Sequence, residues 1–223
     1  MPFTIQQFFE VFERYNQAIF PLQFVLVLAA SAIVMLVVTQ KRFADEIISG
    51  MLAFLWLWAG IVYHLVFFAP VNSGAYIFGA FFIAQGVFLF HQGIIKKRLK
   101  FQLKPDFYGV LGMAFITYAV VLYPIIGALS GHIFPLSPTF GAPCPTTIFT
   151  FGLLMWTDEK LARPLLVIPL LWAFVGSLAT FSFGIAEDFG LLLTALSGTF
   201  FILRRELFIP RRGFSPKKKE IFL

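Results

Sequence analysis

The chain has 223 residues, of which 59% are hydrophobic and 13% charged, and its mean hydropathy is +0.87. A soluble domain carries about 25% charged residues, so this stock cannot cover a water-facing surface and lipid must be the solvent for most of the chain. The net charge of +6 sits in short basic runs between apolar stretches, the placement of cytoplasmic loops against anionic lipid, which argues against a nucleic-acid-binding role.

The start of the chain lacks the basic leader of a cleavable signal peptide and contains Glu10, Glu13 and Arg14. Ile5, Phe8, Phe9, Phe12, Tyr15 and Ile19 recur at helical spacing, Thr4 with Gln7 fits a capping box, and Pro21 limits the helix or kinks it. Residues 4–16 are therefore expected to form an amphipathic helix on the outer leaflet with Gln6, Glu10 and Glu13 toward water. The alternative is an outward extension of the first span.

A transmembrane helix needs about 20 apolar residues. Spans are expected at about 19–39, 47–69, 73–95, 107–129, 164–183 and 189–203, with a shorter candidate at 145–156. Charge decides whether that short piece crosses. With seven crossings, the N-terminus outside and the C-terminus cytoplasmic, every one of the 17 Lys and Arg residues except Arg14 falls on the cytoplasmic side. Without the crossing, Lys160, Arg163 and the basic tail would lie outside, against the positive-inside rule. The fold class expected is thus an all-α integral membrane bundle of about seven helices. The tail 204–223, with Pro210 and Pro216, is expected to be loosely ordered and to touch anionic headgroups. There is no internal repeat of the kind that marks many transporters.

The stretch 131–147 reads GHIFPLSPTFGAPCPTT. Four prolines rule out a regular helix, yet the segment is uncharged and apolar, unlike an ordinary wet loop. Twelve helical residues at 145–156 reach roughly 18 Å, well short of a core roughly 30 Å thick. The short helix must then start inside the membrane, with the Pro-rich stretch dipping to meet it. Pro145 suits its first position and Cys144 its cap, where free N–H groups and the helix dipole would favour a thiolate.

Other polar residues are expected on the same outer side: Tyr63 and His64 near the end of the second span, Asn72 beyond it, and His132 opening the Pro-rich stretch. Thr146 and Thr147 flank the short helix, and Glu187 and Asp188 stand between the last two spans. Together Tyr63, His64, Asn72, His132, Cys144, Thr146, Thr147 and Asp188 form the candidate binding pocket. Imidazole and thiolate are ligands for zinc, copper or iron, so His64, His132 and Cys144 are the candidate metal set; no other cofactor is indicated. Bland roles compete at each position. Asp188 also fits a plain helix cap, Glu187 is expected to be solvated, and Cys144 can be a small buried residue. A single cysteine excludes an intrachain disulfide, and His91 and the four tryptophans read as interfacial or packing residues. Nucleotide and hydrolase fingerprints are missing, as is a lysine in 189–203 that could hold retinal.

The residues PFTxxQFF at 2–9, YHL at 63–65, PTFGAPCPTTIFTFG at 138–152, PxLW at 169–172 and DFGL at 188–191 resemble an uncharacterised family of prokaryotic multi-pass membrane proteins, a domain of unknown function. The resemblance implies a prokaryotic cell membrane and no particular activity. It strengthens His64, Cys144 and Asp188, which lie within its motifs. Three functional readings stay open. The first is transport or sensing of a small solute or ion through an outer-leaflet polar pocket. The second is a non-catalytic subunit or scaffold that binds partner helices, lipid or a second copy. The third is a thiol enzyme using Cys144 with His64 or His132 as base.

Overall fold

The computed structural model describes residues 3–208, and these are helical with no β-strand among them. The basic tail beyond, together with Pro2 of the N-terminal motif, lies outside the described residues.

Helix α1 (Ile5–Ile19) opens with the expected reciprocal box: Thr4 Oγ1 accepts from Gln7 N–H, and Gln7 Oε1 accepts from Thr4 N–H. It runs about one turn beyond the expected end and stops at the Phe20–Pro21 junction. One face buries Phe8, Val11, Phe12, Tyr15 and Ile19, while Gln6, Glu10 and Glu13 face outward or sit at the edge. Asn16 stands among the buried side chains with no exposed surface.

Among the described residues, six helices are long and apolar enough to cross a membrane. They are α2 (Leu22–Thr39), α3 (Ala44–Phe68), α4 (Ala75–Ile95), α5 (Phe107–Leu129), α7 (Pro164–Phe183) and α8 (Phe189–Phe208). The last continues through Arg204 and Arg205 instead of ending at 203, so part of the expected loose tail is helix. Three of these helices relax into π-helical turns, at Ala59–Phe68, His91–Ile95 and Tyr118–Leu122. Such turns put more residues into each turn and re-aim side chains, and they are frequent at functional sites. His64 lies within the longest of them.

The short helix is α6 (Pro143–Met155), and every one of its residues is buried. It packs against α3, α5, α7 and α8 as the centre of the bundle. That position explains both its length and its threonines: with protein on all sides, Thr147 and Thr150 turn their hydroxyls back to the carbonyls of Pro143 and Thr146. Small residues let the backbones close. A Cβ on Gly112 of α5 would lie 2.8 Å from the Gly152 carbonyl of α6, and one on Gly152 would lie 2.9 Å from the Gly112 carbonyl. Trp156 and Trp56 finish the packing, donating to Gly109 O at 3.0 Å and to Thr150 Oγ1 at 2.9 Å.

The end of α6 near Met155 is held by polar groups. Arg205 donates to the carbonyl of Met155 at 2.8 Å and to Thr157 Oγ1 at 3.0 Å, satisfying carbonyls left free at a helix terminus. Ion pairs Lys100–Asp45, Lys97–Glu46 and Lys104–Asp158 stand at the same end. At the opposite end the second half of the Pro-rich stretch folds inward, with Ser137, Pro138 and 140–142 buried, while Ile133, Phe134 and Leu136 stay exposed. Asn16 of α1 holds it there: its Nδ2 donates to Pro135 O and Ser137 O at 2.6 and 2.7 Å, and its Oδ1 accepts from Thr139 at 2.7 Å.

Candidate functional site

The inward fold of the Pro-rich stretch places the start of α6 earlier than its sequence suggests. Ala142 is the cap, Pro143 takes the first helical position, and Cys144 is the second helical residue instead of the cap. Its thiol therefore does not face the free N–H groups. It donates to Asp188 Oδ2, at 3.6 Å.

Asp188 arrives from the 3₁₀ turn Ala186–Asp188, which leads into α8. It is 3% exposed, and Tyr123 of α5 donates to its other oxygen, Oδ1, at 2.5 Å. So Asp188 is not merely a helix cap. Glu187, expected to be solvated, is wholly buried. His132 Nδ1 lies 3.2 Å and 3.3 Å from its two oxygens, and Tyr118 donates to its backbone carbonyl at 2.8 Å. His132 is accordingly half-buried, and its ring stacks on Phe9 at 4.8 Å.

Above Cys144 and Asp188 opens a cavity of about 210 Å³. Phe8 and Phe12 of α1 form one wall, Tyr63 and Phe68 of α3 a second, and Trp172, Val175 and Leu178 of α7 a third. The aromatic rings pack on one another, with Phe12–Tyr63 at 5.6 Å and Tyr63–Phe68 at 6.0 Å. Gly176 keeps the floor open: a Cβ there would lie 3.6 Å from both Cys144 Sγ and Trp172 Nε1 and would strike Leu191 at 2.9 Å. The Trp172 indole N–H is buried on the same side as the Cys144 sulfur, and Leu178, at the rim, is 55% exposed.

The candidate residues divide. Tyr63, Asn72, Cys144 and Asp188 line this cavity. Asn72 also accepts from Gly74 N–H, at 3.0 Å. Thr146 and Thr147 are buried along α6 below it, with Thr147 bonded to its own helix. His64 is buried behind the wall in a box of rings, with Phe82 at 4.8 Å and Trp172 at 5.0 Å, and neither ring nitrogen has a partner. His64, His132 and Cys144 do not gather as a metal trio: His132 turns to Glu187, Cys144 to Asp188 and His64 to aromatics. Among the described residues there is no group of three or more His, Cys, Asp and Glu side chains able to hold a metal ion. The same separation leaves Cys144 without a histidine base among its hydrogen-bond partners.

Three participants escape sequence reading. Tyr123 and Trp172 look like ordinary span aromatics, and nothing local marks them. Asn16 carries a signal: it is a polar residue four positions after Phe12 on the apolar stripe of α1. Outside the spans, burial pushes the Tyr15 phenol above its ordinary range, although Trp58 donates to it at 2.9 Å.

No curated protein and no solved structure matches the chain. A family model described as a family of unknown function, DUF6064, matches residues 5–212, and the chain belongs to that family.

Proposed function

We propose that this is a seven-crossing protein of a prokaryotic cell membrane, N-terminus outside and C-terminus cytoplasmic, that binds a small, largely apolar solute from the outer leaflet as the recognition step of transport or sensing. The observation that carries the binding role is the cavity of about 210 Å³ with aromatic walls and one polar pole at Cys144 and Asp188. A few polar groups converging in an apolar hollow is the general form of a small-molecule site. An empty apolar hole of roughly 150 Å³ can take up benzene, so this one has room for a ring and a small head group. Its rim at Val175 and Leu178 is exposed on the side of α7, which suits entry from lipid.

The orientation is supported by the ion pairs and Arg205 gathered at the Met155 end of α6, with the cavity at the other end. α1 would then lie along the outer face and the basic tail would touch anionic headgroups. This sharpens the expected pocket: it is aromatic with one polar corner instead of generally polar. A scaffold would need no such hollow, so the cavity favours a solute over a purely structural role.

The test is binding of toluene to the purified chain in detergent micelles, followed by its unfolding midpoint. The wild type should gain stability that rises with the logarithm of free ligand above its dissociation constant. Leu178→Trp, which plugs the exposed rim, should abolish the gain while keeping the fold. Equal stabilisation of both chains would overturn the reading.

A further inference from the structure

The solute-binding reading leaves the chemical class of the solute open, and charge narrows it. Asp188 Oδ1 meets the Tyr123 hydroxyl and Oδ2 the Cys144 thiol, so neither oxygen has a cationic partner. Both donors are neutral, and among the described residues no Lys, Arg or His forms a salt bridge with Asp188. The adjacent Glu187 already uses His132, the nearby cationic candidate. Glu187 and Asp188 are thus two buried acids beside one imidazole, and that imidazole bonds to Glu187. A buried carboxylate is costly unless it is paired.

The wall opposite supplies the other half of the pattern. Phe8, Phe12, Tyr63, Phe68 and Trp172 line the same hollow. Aromatic faces attract a cation most strongly where it is stripped of water, and an aromatic cage next to a carboxylate is how organic ammonium groups are held. An anionic solute fits poorly, because it would meet the buried acid of Asp188 with no cation beside it. A bare metal ion fits poorly as well: Cys144 and Asp188 are too few ligands, and the remaining walls are carbon.

We propose, resting on the solute-binding reading above, that the cavity takes an organic ammonium ion, its cationic head against Asp188 and its apolar body between the α1, α3 and α7 aromatics. The cation gives Asp188 the charged partner that it lacks, and Trp172 lines the same hollow.

The test compares two probes of nearly equal shape, benzylammonium and benzyl alcohol, by calorimetric titration of the full chain in neutral detergent at pH 7. Benzylammonium should bind at least tenfold more tightly, and Asp188→Asn should bring the two within about twofold of each other. Equal affinities for the wild type, or a preference for the alcohol, would overturn the ammonium assignment and leave the cavity reading standing. Binding of neither probe would overturn both. The wild-type comparison needs no variant, so an Asp188→Asn chain that fails to fold does not blunt the test.

Discussion

Asn16 ties the Pro-rich stretch to α1, and the cavity depends on that tie because Pro138 and Ala142 form part of its lining. Asn16→Ala deletes three hydrogen bonds, two donated to the Pro135 and Ser137 carbonyls and one accepted from Thr139. Single buried hydrogen bonds contribute roughly 0.6–1.5 kcal/mol each, the lower figure coming from membrane helices. The substitution should therefore cost about 2–4 kcal/mol, or roughly 5–15 °C in unfolding midpoint for a chain of this size. Asn16→Asp should be worse than Ala, because it places an acceptor against two carbonyl oxygens. The assay is thermal unfolding in detergent, read beside the rate at which an external maleimide modifies Cys144. That thiol is 9% exposed beneath the stretch, and its modification should accelerate when the stretch lifts. An Asn16→Ala chain within about 0.5 kcal/mol of the wild type, with unchanged labelling, would refute the reasoning.

Gly112→Ala should cost about 1–3 kcal/mol by forcing α5 away from α6, since its new Cβ would lie 2.5 Å from Trp156 Nε1 and 2.8 Å from the Gly152 carbonyl; urea or thermal unfolding measures it. At the opposite end, the hydrogen bond from Lys100 to Asp45 raises the Lys100 ammonium above the ordinary lysine range. A raised lysine contributes stability at pH below its ordinary value and loses it as pH rises through the folded one. The pair is partly exposed, so the loss as pH climbs through the lysine range should stay below about 1 kcal/mol, and Asp45→Asn should remove it. For the topology, a reporter fused after Leu223 should respond as cytoplasmic, and an external signal there would break the seven-crossing count.

Much of the architecture is legible in composition. Six long apolar helices and the capping box at Thr4 come from hydropathy and local hydrogen-bond chemistry, which act over a few residues. The inward dip of the Pro-rich stretch is readable only for its second half: Ser137, Pro138 and 140–142 are buried, whereas Ile133, Phe134 and Leu136 are exposed. The site is legible only in part. Cys144 and Asp188 stand out as rare polar types in an apolar chain, but their pairing spans 44 positions and depends on where α6 begins. Local chemistry favours Pro145 as the first helical residue, whereas the helix begins at Pro143; both prolines suit a first turn, and only packing chooses between them. Glu187 misleads for a related reason: a carboxylate in a loop is ordinarily wet, and this one is buried against His132, 55 positions away, and Tyr118, 69 positions away. The π-helical turns have no local sequence signature and are imposed by packing.

The most direct test of the cavity as a ligand site is a crystal structure of the chain with 4-bromobenzylammonium, read by the anomalous signal of bromine. The expected peak lies among Phe8, Phe68 and Trp172, with the ammonium within hydrogen-bonding distance of Asp188. Bromine found only on the lipid-facing surface, with the cavity unchanged at saturating probe, would contradict the account.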